Sequence, residues 1–130
     1  MSDTPDRERI RGLVHRYFDL HSRREWHGLL DMFAPDVELF HPVYPHCRGR
    51  DAVGRFFTEY IPSRFLEYFE HAPNVIVEDN QAAAEWVFEV TRLDGRPATL
   101  IGITVLGFEG ERIKSIKIFT DSAQLGGPAN

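Results

Sequence analysis

Cysteine is almost missing from this chain. A single residue, Cys47, excludes an internal disulfide and fits a reducing, cytoplasmic setting. Long apolar runs are missing too: nothing approaches the roughly eighteen residues a membrane-spanning helix needs. Positive charge is in deficit, with 15 basic against 20 acidic residues and a net charge of −5. That balance argues against a nucleic-acid partner. Lysine is scarce among the basic residues, a skew towards arginine that hints at a GC-rich bacterial genome. The first residues, MSDTPDRERIRG, are too charged for a signal peptide. No glycine-rich phosphate loop, dinucleotide fingerprint or nucleophilic serine motif occurs, so no cofactor is expected. No repeat or linker divides the chain. What remains is one domain, 1–130, with 42% hydrophobic residues and a loose tail at 126–130. A chain of this size buries roughly two-thirds of its unfolded surface, enough for a core and one enclosed cavity.

The first half is patterned as helix. Thr4 is placed to cap a helix starting at Pro5, with Ile10, Leu13, Val14, Tyr17, Phe18 and His21 on one stripe. Arg7, Arg9, Arg11 and Arg16 lie largely off that stripe, as a solvated face would. A second helix is expected from Trp26 to Phe33, stopping before Pro35. A third, capped by Asp51, is expected over Ala52 to Tyr60. Between Ser63 and His71 the apolar spacing leaves helix or another structure open.

The second half alternates as strands do. Val37–His41, closed by Pro42, and Val75–Glu78 are short strands. From Ala82 onward Trp86 and Phe88 fall on one face and Glu85, Val87 and Glu89 on the other. An Asp-Gly turn at Asp94-Gly95 leads into Ala98–Phe108, with Leu100, Gly102 and Thr104 on the inward side. Gly110 turns the chain into a last strand, Arg112 to Asp121. Helices followed by an antiparallel meander imply an α+β domain with helices on one side of a curved sheet. The other side carries Val87, Ile101, Ile103, Val105 and Phe119, an apolar patch expected to pair with a second copy as a homodimer.

The segments IRGLVHRYFDL, DMFAPDVELFHP, RGRDAVGRFF and GERIKSIKIFTDSAQL resemble the nuclear transport factor 2-like superfamily. Within it, the pattern is similar to ketosteroid isomerase and the SnoaL-like polyketide cyclases, over residues 8–125. The resemblance implies a cone-shaped fold in which about three N-terminal helices pack on a curved, mostly antiparallel sheet enclosing an apolar pocket. It also implies site residues. In the isomerases a tyrosine on the first helix donates to the forming oxyanion, and Tyr17 matches it. Their base is an aspartate directly before a proline, where this chain has His41-Pro42. The isomerases' second donor falls at Thr104. The cyclases' acid–base aspartate lies eight positions beyond an isoleucine, as Asp121 does beyond Ile113, although strand alternation would turn Asp121 outward.

The expected catalytic set is therefore His41, Tyr17 and Asp121. An imidazole titrates near neutral pH and can take up and return a proton. The plainer alternatives are a half-buried strand-end histidine bonded to a backbone carbonyl, a core tyrosine and a solvated carboxylate. The expected pocket wall is Phe33, Tyr44, Phe56, Tyr60, Trp86 and Phe88, with Leu100, Gly102, Thr104, Thr120 and Leu125. Gly102 serves either sheet bending or room for a ligand. The stretch from His41 to Cys47 holds two imidazoles and a thiol. Without a second cluster it fits a proline-braced loop better than a zinc site. The resulting expectation is a cofactor-independent isomerase, cyclase or dehydratase acting on a mostly apolar carbonyl compound. A non-catalytic binding module of the same fold is the alternative.

Overall fold

The computed structural model describes residues 5–121 and residue 123. Thr4, Leu125 and the tail at 126–130 lie outside the described residues. Helix α1 spans Arg7–Ser22 and is capped by Asp6, whose carboxylate accepts the Arg9 N–H at 2.8 Å. Its stripe from Ile10 through Tyr17 to His21 is buried, as the spacing predicts. The arginine face is less free than expected. Arg9 pairs with Glu111 at 2.6 Å, and Arg11 donates to the Val75 carbonyl at 2.5 Å, tying the helix to the sheet.

Helix α2, Trp26–Asp31, ends before Phe33 because that residue already belongs to β1, Phe33–Phe40. Pro35 sits where the pairing of β1 shifts register, so its missing N–H interrupts no regular ladder. After the two-residue β2, Cys47–Arg48, helix α3 runs over Arg50–Arg55. One widened π turn, Phe56–Tyr60, carries it into α4, Ile61–Arg64. Here Ile61 donates to the Phe56 carbonyl, five residues back, and Pro62 follows with no N–H to continue the regular pattern.

The undecided stretch after Ser63 is strand. β3 runs over Phe65–Glu78, with register shifts at Phe65/Glu67 and at His71/Asn74 around Pro73. β4 (Gln81–Arg92), β5 (Pro97–Glu109) and β6 (Arg112–Thr120) complete a six-stranded sheet in the order β2-β1-β6-β5-β4-β3. All pairs are antiparallel except β1 with β6. The turn at Gly95 has φ +88°, a conformation that favours glycine. The α+β architecture, helices on one face of a curved sheet, is as the sequence implied. Alternation holds on the other face, where Phe69, Ile76, Ile101, Ile103 and Phe119 are exposed.

Candidate active site

Tyr17 and His21 stand one turn apart on the buried face of α1 and look towards the inner face of the sheet. There β3 supplies Glu70, whose Oε1 lies 3.0 Å from His21 Nδ1. Both are buried, at 2% and 9% exposure. The pair is fixed by a second bridge: Ser22 Oγ donates to the Glu70 carbonyl at 2.6 Å and accepts the Glu70 N–H at 2.8 Å. A carboxylate oxygen accepts, so in this bond Nδ1–H is the donor and Nε2 is the ring nitrogen turned away from Glu70. That Nε2 is buried and has no hydrogen-bond partner. Around the ring stand Phe57 edge-on at 5.3 Å, Tyr68 at 5.6 Å and Phe88 stacked at 5.9 Å.

His21 and Glu70 line a cavity of about 50 Å³ together with Tyr17, His41, Arg64, Thr104 and Thr120. Its remaining walls are apolar: Phe56, Phe57, Tyr60, Ile61, Phe65, Trp86, Phe88 and Ile118. Burial first, and then the Glu70 charge, push the Tyr17 hydroxyl well above its ordinary pKa, so it stays a donor. Trp86 Nε1 donates to Thr104 Oγ1 at 2.9 Å, which leaves the threonine hydrogen to point elsewhere.

His41 lies at the end of β1, half-buried, and lines the cavity. Its Nδ1 accepts the backbone N–H of Val43 at 3.2 Å and of Tyr44 at 3.1 Å. Burial lowers its pKa to about 4. The ring is therefore neutral at pH 7, and its free nitrogen, Nε2, carries hydrogen. The nitrogen that His41 leaves free of the backbone is thus Nε2. The plain reading of a strand-end histidine held by backbone is half right, with N–H groups in place of a carbonyl.

Of the expected wall residues, Phe56, Tyr60, Trp86, Phe88, Thr104 and Thr120 line the cavity. Phe33 and Leu100 are packed in the core behind it. Tyr44 forms an outer layer, its ring 5.1 Å from Phe56 and 4.8 Å from Tyr60. Gly102 makes no room for a ligand, because the Trp86 indole occupies the space over it. Asp121 is corrected as well. It lies on the outer face in a groove with Ile101 and Phe119, and its carboxylate accepts the Ala123 N–H at 3.0 Å. Alternation along β6 won over motif spacing. In the His41–Cys47 loop, His46 pairs with Glu38 at 2.8 Å and Cys47 is half-buried, its thiol pushed up by burial. Among the described residues no three potential metal ligands gather.

His21 and Glu70 were missed as a pair. The available signal was a titratable residue on an otherwise apolar stripe, which demands a buried partner.

The profile of the SnoaL-like domain matches residues 14–116. The chain belongs to that family. Among solved structures, a nuclear transport factor 2-like protein of unknown function from Burkholderia pseudomallei superposes with TM-score 0.82 at 25% identity. The alignment covers 96% of this chain and 95% of that one. TerC, crystallised with polyporic acid, gives 0.82 at 18% identity, over 91% of this chain and 95% of that one. A candidate polyketide cyclase from Xanthomonas campestris gives 0.78 at 21%, over 95% and 99%. The last two likenesses establish the SnoaL-like fold alone. No curated protein matches the sequence. No helix among the described residues is long and apolar enough to cross a membrane.

Proposed function

We propose that this SnoaL-like protein is a cofactor-independent acid–base enzyme acting on a compact, mostly apolar carbonyl compound. The observation that carries the reading is the buried His21–Glu70 pair on the cavity wall, with no internal partner at His21 Nε2, which in this reading is the proton acceptor. Glu70 orients the ring and stabilises the imidazolium once His21 has taken a proton from the carbon next to the carbonyl. Tyr17, kept protonated, donates to the oxygen on which charge develops. Apolar walls exclude water, which strengthens both interactions. Proton return at another carbon gives an isomerase; loss of a leaving group gives a dehydratase; attack on a second carbonyl gives a cyclase. In this reading the protein works as a homodimer, a second copy covering Ile101, Ile103 and Phe119 on the outer sheet face.

The test is exchange of α-hydrogens of cyclohexanone and 2-tetralone in D2O, followed by proton NMR. Wild type is expected to exceed the buffer rate and His21→Ala to return to it with its circular dichroism unchanged. A His21→Ala variant as fast as wild type removes His21 from the chemistry. Saturable binding of the ketones without exchange makes the protein a binding module.

A further inference from the structure

His41 occupies the place where the sequence led us to expect a proton acceptor, and its local bonding inverts that role. Pro42 follows it and has no N–H, so the first backbone donors available are those of Val43 and Tyr44. Both point at Nδ1, at 3.2 and 3.1 Å. A nitrogen accepting two N–H groups cannot also carry hydrogen, so the neutral ring is locked as the Nε2–H tautomer. The ring is held laterally by Phe56, 5.0 Å between centroids, and by Tyr60 at 6.3 Å. No hydrogen bond among the described residues uses Nε2.

From this we propose that His41 is a fixed hydrogen-bond donor for a ligand oxygen, either a carbonyl or the enolate formed from it. The two histidines of one cavity then have opposite duties, His21 Nε2 accepting and His41 Nε2–H donating. Burial reinforces the assignment, because it holds the ring neutral at physiological pH. Ligand selection follows. A compound with an acceptor oxygen satisfies His41, whereas a group that only donates leaves the His41 Nε2–H unpaired. The inference deepens the reading above and shares its cavity, but it does not require His21 to take a proton.

Two measurements test it on the intact protein. Long-range 15N–1H correlation at pH 7 is expected to show His41 with a bare Nδ1 and a protonated Nε2. An Nδ1–H tautomer or an imidazolium overturns the proposal. The second is the infrared carbonyl stretch of 13C-labelled 2-tetralone bound to the protein. It is expected at lower frequency in wild type and His41→Gln, whose amide reaches the same place as a donor, than in His41→Phe. Affinity is expected to fall at least tenfold in His41→Glu and to stay within about threefold in His41→Gln. Equal frequencies in wild type and His41→Phe, with the ketone bound, refute the donor role. His21→Ala is expected to lose exchange while keeping the lowered stretch, so a failure of the proton-acceptor reading stays separate from a failure of this one.

Discussion

Adding one methyl group at Gly102 and at Gly12 has opposite consequences. A Cβ built at Gly102 would lie 2.6 Å from the Phe119 carbonyl oxygen and 2.6 Å from Trp86 Cη2, with Trp86 Cζ2 closer still. The carbonyl belongs to a paired strand and cannot step aside, so the indole must move towards the cavity it walls. Overpacking of this kind costs about 1–3 kcal/mol. With about 2.1 cal/mol/K of unfolding entropy per residue, 130 residues give roughly 0.27 kcal/mol/K. A loss of about 2 kcal/mol therefore lowers Tm by about 7 °C. At Gly12, exposed on α1, nothing lies within 4 Å of the added Cβ. Alanine there relieves only the helix cost of glycine, about 0.8–1.0 kcal/mol, and raises Tm by about 3 °C. Calorimetry measures both shifts. A Trp26→Phe background leaves Trp86 as the one emitter, and its fluorescence is expected to shift in Gly102→Ala alone. A Gly102→Ala protein melting within about 1 °C of wild type, its emission unmoved, would show that the indole does not depend on the missing side chain.

Glu70→Ala strands the His21 Nδ1–H in the interior and is expected to cost about 1–3 kcal/mol by thermal melting. Glu70→Gln keeps an acceptor oxygen and should lose less than half of that. Because His41 has a folded pKa of about 4 against an ordinary 6.5, the unfolded chain binds more protons between those values. Its contribution is whole above about pH 6.5 and drains away as pH falls to about 4, with a ceiling of roughly 3 kcal/mol. Denaturant titrations of wild type and His41→Gln across that range should differ by this slope and run parallel above pH 7. Phe119, 58% exposed on the outer face, gives the simplest check of self-association. Phe119→Lys should turn a dimer into a monomer by sedimentation velocity, and a wild type that sediments as a monomer ends that expectation.

Where periodicity was strong, local pattern and tertiary structure agree. The stripe of α1 and the alternation of β4 and β5 report burial directly, because one face of each is solvated or outward. Across β3 the pattern failed. Two register shifts break its alternation, and Phe65, Leu66 and Phe69 happen to fit a helical spacing. The same irregularity hid Glu70, whose inward direction could not be counted from either end of the strand. His21 sat on the apolar stripe, but its partner is 49 residues away, and nothing local names it. His41 was placed at the cavity from sequence. Its tautomer was not, because it depends on backbone N–H groups whose direction a sequence does not display. Asp121 is the converse case: the alternation of β6 already turned it outward, and motif spacing obscured a sound inference.

The parallel pairing of β1 with β6 sets the order in which the molecule is assembled during synthesis. Leu39 and Ile116 are neighbours in the sheet yet 77 positions apart in the chain. At about 5–20 residues per second, roughly 4–15 s separate their appearance on the ribosome. For that interval the edge of β1 that receives β6 has no permanent cover. The last hairpin to emerge both seals the interior and completes the chamber, since Ile118 and Thr120 belong to it. A nascent chain of this design is most in need of a chaperone just before β6 emerges.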